Sequence, residues 1–241
     1  MAFLTAEWRH LVLANYAVDS AILQPFVPAH TELDVWQGKY YVSLVGFLFL
    51  NTRISGVPIP FHQKFEEVNL RFYVRHRNRS EWRRGTVFIR ELVPRRLVSL
   101  VANTLFGEHY RTTQMTHRIA NNDEHLELEY RWYWDGRWHA LGVTADVQAS
   151  DIAPGSEAEF ITEHYWGYTR LGAGRTSEYA VHHPRWRTCS VLDHTVDTDF
   201  GAIYGPAFSV LDTSQPTSVI LAAGSEVSVD HRRVITSADA L

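Results

Sequence analysis

Apolar and polar residues alternate with period two through much of the chain, the pattern of strands with two unlike faces. Along EEVNLRFYVR, Val68, Leu70, Phe72 and Val74 share one parity, and Asn69, Arg71, Tyr73 and Arg75 share the other. Along HLELEYRWYW, Leu126, Leu128, Tyr130, Trp132 and Trp134 oppose Glu127, Glu129, Arg131 and Tyr133. Asp135-Gly136 follows, a pair favoured in two-residue hairpin turns, so the next strand is expected at 138–147. Further strands are expected at 8–17, 40–50, 85–91, 110–119, 176–182, 187–196, 218–223 and 227–235. Roughly ten strands in one chain imply a large sheet, a sandwich or a closed barrel.

Helices are few. Residues 95–106 place Leu97, Leu100, Val101 and Leu105 on one stripe, with Gly107 where a left-handed cap is usual. Ser156 and Glu159 make a capping box ahead of Phe160 and Ile161. Short helical turns are expected at 19–23 and 199–204.

The 241 residues contain no linker-like stretch and no convincing repeat, so one domain over 1–241 is expected. The amino terminus lacks the basic, apolar and small-residue regions of a secretory signal. The longest apolar run, 40–50, falls short of the roughly 20 residues that a membrane helix needs. With Cys189 as the sole cysteine, a cytoplasmic protein without disulfides is expected, with no membrane partner.

The net charge of -4 argues against a protein that coats nucleic acid. The charge is uneven, however: nine arginines lie between Arg71 and Arg96 against Glu81 and Glu91. Most of that cluster, 76–85, has the composition of a solvated hairpin tip.

Thirteen histidines invite a metal, yet no familiar ligand spacing occurs, and adjacent His182 and His183 point to opposite faces of a strand. There is no nucleophile elbow and no phosphate loop, and the Leu171-Gly-Ala-Gly174 run is too short for a dinucleotide fingerprint. Neither a metal nor a cofactor is expected. Glu91 shares parity with Val87 and Ile89, whereas Arg90 faces the other way. A carboxylate on an apolar face is costly unless paired, so Glu91 is either a structural ion-pair partner or a pocket group. Glu66 is in phase with the apolar face of the strand that follows and Glu67 with the polar one, and periodicity does not choose which faces a cavity.

Several segments resemble the acetoacetate decarboxylase superfamily. The run from Arg9 through Asp19 and Val27-Pro28 to Leu33 is similar to that superfamily's opening strand, short helix and turn. Phe65-Glu-Glu-Val68 is similar to its Tyr-x-Glu-Val element, and Ile89-Arg-Glu-Leu92 with Pro94-Arg-Arg96 to its Gly-Arg-Glu and Pro-Lys-Lys elements. Over nearly its full length the chain more closely resembles the bacterial family catalogued as a domain of unknown function, number 2071. The stretches that carry this are 42–47, 67–74, 88–91 and 162–166.

The resemblance implies a mainly β fold, a double-layer barrel or cone around a central cavity. It implies that Arg9, Glu67, Arg90 and Glu91 line that cavity, and that Arg95 and Arg96 occupy the places of the nucleophilic lysine and its neighbour. Arginine stays protonated and is a poor nucleophile, so Schiff-base chemistry is not expected at position 95. The only lysines, Lys39 and Lys64, lie in a turn and in a loop.

Three functions follow. The first is binding of a small carboxylate or keto acid by Arg9, Glu66, Arg90, Arg95 and Arg96, because guanidinium forks match carboxylates. The second is acid/base chemistry at a carbonyl, with Glu67 or Glu91 as base. The third is assembly, including homo-oligomers, through aromatics around Tyr165, Trp166 and Tyr168.

Overall fold

The computed structural model describes residues 2–236 except Ser80 and Asp123. Fifteen strands are present among them, and their pairings form one continuous sheet. The first half supplies β1 (Leu4–Val18), β2 (Glu32–Leu33), β3 (Tyr40–Ile54), β4 (Val57–Pro58), β5 (Phe65–Asn78) and β6 (Glu81–Val93). The middle supplies β7 (Tyr110–Thr112), β8 (Met115–Asn121), β9 (His125–Trp134) and β10 (Arg137–Asp151). The rest are β11 (Trp166–Gly172), β12 (Arg175–His182), β13 (Arg187–Asp197), β14 (Ser218–Val229) and β15 (Arg233–Ile235).

Neighbouring strands run β12-β11-β6-β5-β3-β1-β14, and β14 pairs again with β12 through Val181 and His182, so this path closes into a ring. From β14 the sheet continues through β13, β10 and β9 to β8. This extension supplies a second layer. Val12, Leu44, Leu70 and Phe72 on one face of the ring pack against Leu128, Tyr130, Trp132 and Leu141 of β9 and β10. The opposite parity, with Leu13, Val45, Phe47 and Tyr73, faces the ring interior and packs on Phe160, Ile161 and Trp186. Strand β5 is therefore buried on both faces, and the parity read as polar is the interior one.

Several expected strands are longer or divided differently. The expected strand at 110–119 splits into β7 and β8, which join different neighbours. The pair expected at 218–223 and 227–235 is instead one long strand followed by short β15. Strand β11, which contains the Trp166 region, has no clear alternation in sequence and was not expected. The arginine-rich 76–85 segment is mostly strand, because the ladder of β5 and β6 continues to Asn78 opposite Glu81. Of its tip, Ser80 lies outside the described residues.

Two bulges set the phase of the interior face. In β1 the register jumps between Arg9 and Val12, and His10 takes a positive φ of 57°. Gly224 lies opposite Arg9 with φ +76°, and a Cβ there would sit 1.9 Å from the Trp8 carbonyl oxygen, so this crossing requires glycine. In β6, Leu70 pairs with Arg90 and Arg71 with Phe88, which leaves Ile89 as the extra residue. Residues three apart thus share the interior: Trp8 with Leu11, and Phe88 with Glu91.

The helices are α1 (Ser20–Leu23), α2 (Arg96–Phe106), α3 (Glu157–Thr162) and α4 (Phe200–Tyr204). Ser156 caps α3 by accepting a hydrogen bond from the Glu159 amide at 3.2 Å. Ser156→Ala is expected to cost about 1 kcal/mol, measured by urea unfolding. Gly107 ends α2 in the left-handed region, as its sequence position implies. The stripe expected on α2 is met in part: Leu97 and Val101 line the cavity, whereas Leu100 is 63% exposed and Leu105 is exposed too, and Val98, Ala102 and Phe106 join the inner face. The helix covers a cavity rather than a packed core. Among the described residues no helix is long and apolar enough to cross a membrane.

Candidate functional site

A cavity of about 230 Å³ lies inside the ring, between the cluster around Phe47 and Phe49 and the smaller cluster of Phe3, Phe106, Tyr179 and Val181. Pockets for drug-sized ligands are commonly about 300–1,000 Å³, so this one suits a small molecule. Ile59 and His62, in the loop after β4, and Leu97 and Val101, on α2, are among its partly exposed lining residues. Its walls are mostly aromatic and aliphatic, including Trp8, Phe47, Phe49, Phe65 and Trp186.

Against that apolar lining stand three buried carboxyl groups, Glu67, Glu91 and Glu108. Glu67 shares the interior parity of β5 with Asn69 and Arg71. Its Oε1 accepts from Asn69 Nδ2 at 2.9 Å and its Oε2 from the Tyr110 hydroxyl at 2.9 Å. Glu91 is carried to the same cavity by the β6 bulge, and its Oε2 accepts from the His109 amide at 3.3 Å. Glu108, just after α2, accepts from Thr169 at 2.7 Å and Tyr179 at 2.9 Å.

Removal from water dominates the titration of this cluster. Burial pushes Glu67 up to about 7, against hydrogen bonds from Asn69 and Tyr110 that pull it down, with Glu108 raising it further. Burial also takes Glu108 to about 7, opposed by its hydrogen bonds to Thr169 and Tyr179. Glu91 is raised well above its ordinary value, by burial first and then by the charges of Glu108 and Glu67. Like charges held together in a dry site do not all ionise at neutral pH, so the cluster retains protons there.

Arg71 is the guanidinium that lines this cavity. It is 8% exposed, its Nε has no hydrogen-bond partner among the described residues, and its charge acts on Glu67, His164 and His183. Asn69 Oδ1 and Glu108 Oε2 are likewise buried without partners. Unpaired donors and acceptors inside an apolar cavity are costly, and a polar ligand offsets that cost. Among the described residues no group of three or more His, Cys, Asp or Glu is arranged to hold a metal ion.

The site residues expected from sequence divide sharply. Glu67 and Glu91 line the cavity; Arg9, Glu66, Arg90, Arg95 and Arg96 are not among its lining residues. The β1 bulge turns Arg9 away, and its Nε donates to Glu7 at 2.8 Å. Glu66 points to the opposite face of β5, where it pairs with His117 Nδ1 at 2.5 Å. Arg90 faces the packed layer, donates to the Ile203 carbonyl and lies 5.3 Å from the Trp134 ring. Arg95 occupies the N-cap position of α2, and Arg96 is exposed at its first turn. The expected parity of Glu91 with Val87 and Ile89 fails because a second bulge, at Ile89, resets the alternation in β6. Lys39 and Lys64 are both exposed, and neither lines the cavity.

Sequence reasoning passed over Arg71, Glu108 and His164, and over Asp34, whose Oδ2 lies 3.1 Å from His164 Nε2. Arg71 was legible in principle, since it shares parity with Glu67. Glu108 follows a helix cap, and Asp34 and His164 lie in irregular segments, so periodicity carries no signal for them.

Two solved structures superpose on 97–98% of the chain. One is an acetoacetate decarboxylase-like enzyme from Sphingomonas wittichii RW1, with a TM-score of 0.68, 13% identity and coverage of 98% of this chain and 94% of that one. The other is the enduracididine biosynthesis enzyme MppR complexed with pyruvate, with a TM-score of 0.65, 14% identity and coverage of 97% and 91%. These likenesses establish the fold. The chain belongs to the DUF2071 family, described as an uncharacterized conserved protein, whose profile matches residues 5–226. It is 34% identical over 179 residues to the uncharacterized protein YqjF of Bacillus subtilis (strain 168), covering 73% of this chain and 72% of that one.

Proposed function

We propose that the cavity takes a small oxo acid and promotes proton transfer at its carbonyl, without a Schiff base. The observation that carries this reading is the convergence of three buried carboxyl groups and one buried guanidinium on a small, otherwise apolar cavity. Arg71 suits the carboxylate of such a ligand. The protonated carboxyl cluster suits its carbonyl oxygen, because a carboxylic acid kept neutral by an apolar site donates a hydrogen bond to a developing oxyanion. This shifts the role of the glutamates from the base expected in sequence to the acid: burial and the neighbouring carboxylates keep a proton on Glu91. A pyruvate complex of MppR, similar in fold, makes pyruvate a natural first ligand to test.

The test is titration with pyruvate, 2-oxobutanoate and acetoacetate, followed by NMR of hydrogen exchange at the carbon next to the carbonyl in D2O. Binding in the wild type, with exchange that falls ten- to a hundredfold in Glu91→Gln, is the expected result. Borohydride with pyruvate is expected to leave the mass at Lys39 and Lys64 unchanged. No binding of any oxo acid, or a borohydride-trapped adduct at either lysine, would sink this reading.

A further inference from the structure

Another part of the cavity wall carries a second set of buried polar groups. His164, in the segment between α3 and β11, is 7% exposed and lines the cavity. Its Nε2 lies 3.1 Å from Asp34 Oδ2, and the same carboxylate oxygen receives Arg84 Nε at 2.6 Å. Burial raises Asp34, but the hydrogen bonds from His164 and Arg84 outweigh it, so its carboxyl is held below the usual range and is ionised. An ionised carboxylate only accepts, so the Nε2 of His164 must carry the hydrogen. Burial drives the ring down to about 4, with the charges of Arg84 and Arg71 assisting against the pull of Asp34, so it is neutral at pH 7.

A neutral ring with hydrogen on Nε2 has a bare lone pair on Nδ1. That atom is buried and has no hydrogen-bond partner among the described residues. The ring cannot readily turn to satisfy it. Tyr73 packs 4.6 Å away and Phe160 5.2 Å away, centroid to centroid, and rotation would lose the bond to Asp34. Asp34 is itself anchored, since its backbone amide donates to the Tyr73 carbonyl at 3.0 Å. The acid, the imidazole and the unpartnered nitrogen are thus arranged as a fixed base oriented by a carboxylate.

From this geometry we infer that His164 Nδ1 is the base that removes the proton next to the ligand's carbonyl, with Asp34 as the positioning residue. The inference rests on the oxo-acid reading of the cavity and gives it a direction. The C–H bond breaks, its proton goes to Nδ1, and its electron pair becomes the C=C bond of the enol. The carbonyl oxygen takes the proton of Glu91, whose carboxylate is left with the charge. No oxidant or second substrate is required. The imidazolium formed is held by Asp34, and Arg71 keeps the ligand carboxylate in place. The ligand class is accordingly an oxo acid with at least one hydrogen on the carbon next to its ketone.

Four measurements on the full chain test this. Nitrogen-15 NMR of labelled histidines should show His164 protonated on Nε2 at pH 7. In Asp34→Asn, whose amide can donate to Nε2, the signal should move toward the Nδ1-protonated tautomer. With 2-oxobutanoate as probe, His164→Gln should keep its affinity within about threefold while exchange falls at least a hundredfold. Asp34→Asn should lose at least tenfold in exchange with little change in affinity, a separation that a purely structural role would not produce. A charged or Nδ1-protonated His164 in the wild type overturns the inference. So does wild-type exchange in a folded His164→Gln that binds normally, while leaving the oxo-acid reading intact. If His164→Gln does not fold, the same two readouts on Asp34→Asn decide: unchanged tautomer and unchanged exchange overturn the role of the pair. A wild type that neither binds nor exchanges any oxo acid removes both readings.

Discussion

Removing both guanidiniums that flank Glu178, as Arg83→Met with Arg233→Met, is expected to destabilise the fold by about 3–5 kcal/mol. Glu178 is fully buried in β12. Its carboxylate receives Arg83 from β6 at 3.0 Å, Arg233 from β15, and the Tyr168 hydroxyl from β11 at 3.0 Å. The group therefore ties together β6, β11, β12 and β15. The arrangement is asymmetric in solvent: the Arg233 side chain is 52% exposed, whereas that of Glu178 is completely enclosed. Taking away the arginines strands a charge that water cannot reach. Taking away the carboxylate frees two cations, of which Arg233 at least can be resolvated. Glu178→Gln alone is accordingly expected to cost less, about 1–2 kcal/mol, and the triple variant should recover part of the loss of the double. Urea unfolding of the four proteins checks this; a double variant no less stable than Glu178→Gln would contradict it.

Stability is also expected to fall by about 2–3 kcal/mol between pH 6.5 and 8. Glu67 and Glu108 are raised from 4.5 to about 7 in the folded chain, and Glu91 is raised well above 4.5 as well. Above pH 4.5 the unfolded chain ionises these groups while the folded chain keeps them protonated. Their contribution is complete below 4.5 and is lost as pH rises through the folded values. His164 acts in the reverse sense: its folded value is about 4 against 6.5, so its contribution is complete above 6.5 and is lost as pH falls toward 4. His10, His139 and His183 are lowered too, mainly by burial, and follow the same direction. Below 6.5 the two effects oppose each other. Above 6.5 the glutamates act unopposed, which fixes the window. Urea titrations from pH 5 to 8 should show the decline, and Glu91→Gln should flatten it. Stability that holds level or rises from 6.5 to 8 would show that the cluster is not protonated.

Much of the sheet was legible because alternation survives wherever strands are regular. The two long runs in β5 and β9, the Asp135-Gly136 turn and the Ser156 cap all stand where the sequence implies. The candidate site was legible only in part. Alternation assigns residues to two faces but does not say which face looks inward, and in β5 both are buried. Each bulge then resets the count by one, which turned Arg9 and Arg90 away and brought Glu91 in. The resemblance of Pro94-Arg-Arg96 to a catalytic element placed Arg95 and Arg96 at the site, whereas the chain at that point forms the start of α2. Asp34, Glu108 and His164 are joined to the cavity by contacts between residues far apart in sequence, for example 130 positions between Asp34 and His164. No local pattern encodes such a meeting.

Strand β5 carries a division of labour that bears on how new specificities could arise. Val68, Leu70 and Phe72 hold the two layers together, while Glu67, Asn69 and Arg71, interleaved with them, face the ligand space. Selection for a different ligand can therefore rewrite one parity while leaving its neighbours unchanged. A library randomised at 67, 69 and 71 would sample cavity chemistry on a constant scaffold, and the same diversity placed at 68, 70 and 72 would be spent on broken folds.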